Sequence, residues 1–272
     1  MGLLRFLPLS YISWFLGSLA NLPLPQPLAK WTVGVFARIY GIDTTTATQP
    51  LSEFRCIGEF FTRDLKPELR PHGSGLLCPV DGTLRSYHRL TPQLRIPQVK
   101  GREYTLEQLL AGDPLAKRLQ CGSLWNMYLS PSDAHHIFAP VSGRIVRTLH
   151  VPGKLWPVND WALNSVEALF AVNERVVTFV ESAQGLVAVV MIGATNVGRI
   201  ALHYTTLETN TRPWAAKSVR ALEHADLVVQ AGLKLATFKM GSSVIIVTEN
   251  HHLGDSAGMV PRPVQYGQSL VP

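Results

Sequence analysis

VVTFVESAQGLVAVVMI, residues 176 to 192, contains two short apolar runs, Val176 to Val180 and Leu186 to Ile192, with a polar, glycine-ended break between them. Both are rich in β-branched side chains, which pack well on a pleated surface, and both read as strands. Further out, Gly143 to Val151, Val197 to His203 and Ser243 to Val247 have the same character. Gly, Pro, Asn and Asp punctuate these runs, so the chain beyond residue 50 is predicted to be mainly β. Two helices interrupt it, Ser52 to Phe61 and a stretch from Leu106 to Leu110 onward to Arg118. No period of roughly 20 to 50 residues repeats, which excludes solenoids and propellers. The region before residue 50 is helix-like. The prediction is an α+β fold: a helical N-terminal part over residues 1–50, then a β-rich domain over 51–272.

The N-terminal part is apolar but interrupted. No residue from Phe6 to Ala29 is charged, yet Pro8, Pro23, Pro25 and Pro27 leave only Leu9 to Leu22 as unbroken helix material, short for a bilayer span. Tyr11, Ile12, Trp14 and Phe15 alternate with Ser10, Ser13, Ser18 and Asn21, and Arg5 precedes them. This mixture suits a membrane-associating helix lying among lipid headgroups. A second stretch, Trp31 to Tyr40, sets Lys30 and Arg38 beside Trp31, Val33, Val35 and Phe36. Two other readings stand beside this one. Ser18-Leu19-Ala20 has the small-x-small form of a signal-peptide cleavage site, and the helices could instead form a buried cap with no membrane role.

Composition narrows the classes. Of 272 residues, 46% are hydrophobic and 16% charged, which excludes a solvated disordered chain. The net charge of +6 favours anionic partners such as phospholipid surfaces. The basic residues are scattered with no stacking motif, which argues against nucleic acid. Cys56, Cys78 and Cys121 form no CxxC pair, so a disulfide scaffold or structural zinc site is not expected, and a reducing compartment is the simpler reading.

Chemistry could reside in three segments. In TFKMGSSVIIV, residues 237 to 247, glycine leaves the Gly241-Ser242 peptide sterically open, so the Ser242 hydroxyl could attack the Gly241 carbonyl. The resulting ester can eliminate its carboxylate to leave dehydroalanine, which hydrolyses to an N-terminal ketoacyl group. The same residues could also be a plain turn entering a strand. PVDGT, residues 79 to 83, is a turn in which Asp81 could simply bond its own backbone. YLSPSDAHHIFAPVSG, residues 128 to 143, carries His135 and His136, which would face opposite ways in a strand.

Together these segments resemble the phosphatidylserine decarboxylases, which depend on a covalent pyruvoyl group. EFFTRDLKPELRP (59–71), PVDGT, YTLEQLLAG (104–112), YLSPSDAHH, VPGKLWPVN (151–159), LFAVNERVV (169–177), IGATNVGRI (192–200) and FKMGSSVI (238–245) follow the family's order through most of the chain. The resemblance implies that Ser242 cleaves its own chain at Gly241/Ser242 and becomes the pyruvoyl cofactor, giving chains 1–241 and 242–272. It implies that phosphatidylserine is decarboxylated to phosphatidylethanolamine and CO2 through a Schiff base to that group, with no metal. It assigns Asp81 to the self-cleavage relay and His135 to the decarboxylation site. Homodimerisation and peripheral attachment to the cytoplasmic face of the cell membrane are also implied, at an anionic lipid surface.

The sequence departs from the family at its relay base. The pattern YLSPxDYHRxHxP places that histidine where this chain has Phe138, and phenylalanine cannot accept a proton. In an extended segment His136 shares a face with Phe138 while His135 lies opposite, making His136 the expected stand-in. MGSS replaces LGST, and Lys234 and Ala236 stand where the family prefers Glu and Gly. A second reading follows: a cleavage-impaired relative that binds anionic lipid without catalysis.

Overall fold

The computed structural model describes residues 9–91, 95–99, 101–195, 199–211, 218–239, 243–250 and 260–271. The chain opens with two helices, α1 (Leu9–Ala20) and α2 (Gln26–Ile39). The second begins earlier than Trp31, because Pro25 precedes it and Pro27 falls in its first turn, where the missing N–H has no helical partner to lose. Ala29, Val33 and Ala37, spaced four apart, form its buried face. Val33 and Ala37 close with Phe54 and Phe60 into a small core. Elsewhere the two helices leave Phe15 61%, Trp31 64% and Ile39 71% exposed. Among the described residues no helix is long and apolar enough to cross a membrane. The helix expected over Ser52 to Phe61 reduces to a 3-10 turn, Leu51–Glu53, and the short α3 (Ile57–Phe61), where Cys56 Sγ accepts from the Glu59 N–H at 3.4 Å.

The body then runs β1 (Leu76–Leu77), β2 (Gly82–Arg89), β3 (Arg95–Pro97), β4 (Glu103–Thr105), α4 (Leu106–Leu109), β5 (Ser123–Tyr128), β6 (His136–Phe138) and β7 (Gly143–Val151). After α5 (Asp160–Ser165) and α6 (Leu169–Val172) come β8 (Arg175–Ser182), β9 (Gly185–Ile192), β10 (Ile200–Leu202) and β11 (Arg220–Val229). The last strands are β12 (Lys234–Phe238), β13 (Ser243–Thr248), β14 (Arg262–Val264) and β15 (Ser269–Val271). Eight strands form one antiparallel sheet in the order β11-β7-β8-β9-β13-β5-β2-β14, and β10-β12-β6 form a second. The fold is therefore α+β, as expected.

The large sheet is buried on both faces at its centre, which explains why its inner strands are nearly continuous apolar runs. In β13, Val244 and Ile246 join one core with Ile137, Ala236 and Phe238 of the small sheet. Ile245 and Val247 join the other, with Leu106 and Leu109 of α4, Leu163 of α5 and Phe170 of α6. The buried Arg175 ties these short helices down: its guanidinium donates to the carbonyls of Gln108, Leu109, Ala171 and Asn173 at 2.6 to 2.9 Å. It thereby satisfies carbonyls that helix ends leave free, while burial lowers its pKa to about 10.

Two further expectations need revision, and one strand was not foreseen. The helix from Leu106 toward Arg118 stops after one turn at Ala111, whose φ of 52° is left-handed, and resumes only as a 3-10 turn, Pro114–Leu119. The strand expected over Val197 to His203 covers Ile200–Leu202, with residues 196–198 outside the described set. Finally, β11 is an edge strand that the apolar runs did not announce.

Candidate active site

Gly241 and Ser242 lie outside the described residues, but the strands on either side of them are well placed. Upstream, β12 belongs to the small sheet, pairing Thr237 with His136 of β6. Downstream, β13 sits in the large sheet, with Ser243 between Tyr128 of β5 and Ile192 of β9. The segment between Lys239 and Ser243 thus joins strands of two different sheets. Lys239 is fixed at its backbone N–H by Arg199 O at 3.0 Å and at Nζ by Glu208 at 2.9 Å.

His135 precedes β6 and is fully buried. Its carbonyl accepts from the Phe238 N–H at 2.9 Å, so it touches the strand leading to the Gly-Ser pair. Nδ1 lies 2.8 Å from the Asp133 carbonyl, which can only accept, so Nδ1 carries the proton and Nε2 holds a lone pair. That Nε2 is buried without a hydrogen-bond partner among the described residues. The ring packs on Phe61 at 3.9 Å. Burial, above all, lowers its pKa to about 3, so the imidazole is neutral at physiological pH.

His136 does share a face with Phe138, the two rings meeting edge-on at 6.3 Å. Both of its ring nitrogens have polar neighbours, but only Nδ1 has a hydrogen-bond partner among the described residues. Nδ1 is 2.9 Å from Thr237 Oγ1, which also meets His203 Nε2 at 2.7 Å. Nε2 lies 3.1 Å from Asp64 Oδ1, at ion-pair distance though off the hydrogen-bond direction. Burial, reinforced by the Lys234 charge and opposed by Asp64, lowers its pKa to about 4. Neither Nε2 has a hydrogen-bond partner among the described residues, but that of His136 faces the Asp64 carboxylate, whereas the tautomer of His135 leaves its Nε2 a lone pair.

Asp81 is held by its turn. A Cβ on Gly82 would lie 2.3 Å from Tyr128 O, so the PVDGT glycine allows the turn to close on β5. The Asp81 carboxylate is gripped by Arg70, with Nη2 at 2.5 Å and Nε at 3.1 and 3.2 Å, and it accepts the Tyr266 N–H at 3.0 Å. Phe138 stacks on the Tyr266 ring at 4.0 Å and 15°, and its N–H donates to Pro79 O at 2.8 Å. Asp81 and position 138 are thus neighbours. An arginine and a backbone N–H satisfy the carboxylate, and an aromatic stack occupies the place the resemblance gives to a histidine.

Residues 57–271 match the family model described as phosphatidylserine decarboxylase. The chain belongs to that family. Among its relatives is a phosphatidylserine decarboxylase proenzyme of an Anaeromyxobacter species, 39% identical, aligned over 90% of this chain and 88% of the relative. Proteins of the same name from Myxococcus xanthus and Brevibacillus brevis are 37% and 33% identical. These cover 92% and 99% of this chain, and 89% and 94% of their own.

Within this decarboxylase-family chain, sequence reasoning missed several site residues. Asp64 and Arg70 lie in the EFFTRDLKPELRP segment, but their partners are Lys234, 170 positions away, and Asp81. Tyr266 reaches Asp81 across 185 positions, and no local pattern signals it. Arg63 is buried beneath the site, donating to Ser132 O at 2.7 Å and steadying the loop that carries Asp133 and His135.

Proposed function

We propose that the chain is a self-cleaving, pyruvoyl-dependent phosphatidylserine decarboxylase, producing phosphatidylethanolamine and CO2, with residues 51–272 as its catalytic domain. The observation that carries this reading is the Gly241-Ser242 sequence between two anchored strands, with a buried imidazole lone pair, unpartnered among the described residues, on His135, whose carbonyl bonds the strand leading to that pair. A pyruvoyl group at position 242 supplies an electron sink for the carbanion left when CO2 departs. The surrounding residues fit that chemistry. The His135 Nε2 lone pair matches a donor, either the Ser242 hydroxyl before cleavage or a substrate amine afterwards, and a neutral imidazole can move that proton. Asp81 and Arg70 brace the neighbouring turn. The reading is tested with phosphatidylserine vesicles: CO2 release that borohydride reduction in the presence of amine abolishes supports it, and an inert protein overturns it.

His135 rather than His136 is proposed as the base in chain splitting. His135→Ala is expected to slow splitting by about 100-fold or more, and His136→Ala by less than about tenfold. Phe138→His, which restores an imidazole beside Asp81, should accelerate it. A time course of chain splitting on a gel after cell-free synthesis checks all three, and equal loss in both alanine variants would contradict the assignment.

The N-terminal helices are proposed to hold the domain at the membrane, peripherally and on the cytoplasmic face, where an acyl-chain-bearing substrate stays in the bilayer. Exposed Phe15, Trp31 and Ile39, with Lys30 and Arg38 nearby and no acidic residue before Asp43, support this. Phe15→Glu with Trp31→Glu should weaken co-sedimentation with anionic vesicles by about tenfold or more. Unchanged sedimentation would remove the helices from that role. A homodimer is the proposed assembly.

The aromatic stack at position 138 favours one second reading, a relative that keeps the fold and binds anionic lipid without cleaving. A protein that sediments with vesicles yet neither splits nor releases CO2 would establish it.

A further inference from the structure

Beside Phe138 lies a partly enclosed cavity of about 320 Å³, walled by Phe138, Tyr266 and His136 and edged by Thr48 and Asp64. That is about the volume of ten water molecules, at the low end for a small-molecule site. It has room for a small headgroup, and Leu65, Pro67 and Ala134 add apolar lining to the aromatic walls.

Two opposite charges meet at this cavity. Asp64, just after α3, holds the Lys234 ammonium at 2.5 Å. Lys234 begins β12 directly opposite Phe138 in the ladder. Asp64 is 58% exposed at its side chain and Lys234 28%. A pair this open is weakly held, and water or a ligand can reach both members. The other ionisable groups of the cluster add no charge at neutral pH: burial lowers the pKa values of both His136 and His203, leaving them neutral. Asp64 stays ionised, since burial is outweighed by the hydrogen bond and charge of Lys234, which hold its pKa below the ordinary value. The cavity thus offers one anion and aromatic walls within a headgroup-sized space, with the Lys234 ammonium paired to that anion at its edge.

We propose that this cavity receives the zwitterionic serine headgroup of the substrate, Asp64 taking the ammonium and Lys234 the carboxylate, as the two side chains exchange their mutual ion pair for the ligand's two charges. Phe138 and Tyr266, stacked on each other, supply the aromatic wall. Lys234 therefore sets specificity: it recognises the carboxylate, which the substrate has and the decarboxylated product lacks. The inference rests on the proposed phosphatidylserine reading and deepens it by naming the residues that read the headgroup.

Water-soluble headgroups test it on the full chain. Chemical-shift titration should show glycerophosphoserine binding about tenfold tighter than glycerophosphoethanolamine, the difference expected for one charge-assisted contact. Lys234→Met should bring that ratio close to one, and Lys234→Arg should largely keep it. Asp64→Asn should weaken both amine ligands while leaving the weak binding of glycerol phosphate unchanged. With phosphatidylserine vesicles, both Lys234→Met and Asp64→Asn should raise KM by about tenfold, with kcat changed far less. Thermal unfolding of each variant verifies its fold. A serine-to-ethanolamine ratio that survives Lys234→Met, or no preference in the unaltered protein, would overturn the inference. A chain that splits and decarboxylates normally while the variants keep KM would sink this assignment alone. A chain that selects glycerophosphoserine but never splits would sink the decarboxylase reading alone.

Discussion

Replacing Ser242 by alanine is expected to leave the chain whole, at about 30.0 kDa, and to abolish CO2 release from phosphatidylserine. Alanine offers no hydroxyl to attack the Gly241 carbonyl, so neither the ester nor the terminal ketone can form. The loss should reach at least about four orders of magnitude, as expected when a nucleophile is removed outright. The fold should survive, because the strand that follows owes its stability to later residues. All six residues of β13 are buried, and the strand pairs with β5 and β9 on both sides. Glu249 just beyond it is clamped by Arg118, with Oε2 at 2.6 Å from Nη2. The same contacts predict that chain 242–272 stays bound to the body after cleavage in the unaltered protein. Gel electrophoresis, CO2 assay and thermal unfolding of Ser242→Ala check the three parts. Residual splitting at this position in the variant would exclude Ser242 as the nucleophile.

Acidification should destabilise the fold well before ordinary carboxylates titrate. Burial lowers the His135 pKa to about 3 in the folded chain, against about 6.5 when unfolded. Between those values the unfolded state binds more protons, so stability rises with pH. This contribution is complete above about pH 6.5 and is lost progressively as pH falls toward 3. At about 1.4 kcal/mol per pH unit for one proton, His135 alone should cost about 2 kcal/mol between pH 6.5 and pH 5. His136, with a folded pKa of about 4, adds in the same sense. Asp133, whose pKa burial raises, acts in the opposite sense, being stabilised at low pH and destabilised as it ionises. The comparison that isolates the histidine is therefore His135→Gln against the unaltered chain. Urea midpoints measured from pH 7 to pH 5 should fall in the latter and fall much less in the variant. Equal slopes would mean that His135 is not neutral and buried in the folded state.

The legible part of the fold was its centre. Leu186 to Ile192 could be read as a strand because both faces of the large sheet are covered along it, so its apolar character is nearly unbroken, whereas Gly143 to Val151, with Arg144 exposed and Arg147 and His150 half-buried, was legible from its β-branched residues. At the edge that signal fails. β11 carries Glu223, His224 and Asp226 and leaves Val228 74% exposed, so neither period nor hydrophobicity marks it. Helix ends were misjudged where prolines start a helix, as before α2, or where Gly112-Asp113-Pro114 ends one. In the site, the Gly-Ser pair, Asp81 and the histidines were visible because each lies in a short family segment. Tyr266, Thr237 and His203 were not, because their roles exist only when distant strands meet. His136 illustrates the limit: sequence can place it on the face of Phe138 but cannot show that Thr237 meets its Nδ1 and Asp64 lies 3.1 Å from its Nε2.

In the proposed enzyme the Gly241-Ser242 bond breaks and leaves a ketone on the new terminus. Intact-mass spectrometry of the purified, active protein tests it most directly. The expected spectrum shows one chain ending at Gly241 and a second, residues 242–272, whose mass corresponds to a pyruvoyl group in place of serine and shifts on hydrazine treatment. A single uncut chain of full mass that still releases CO2 would contradict it.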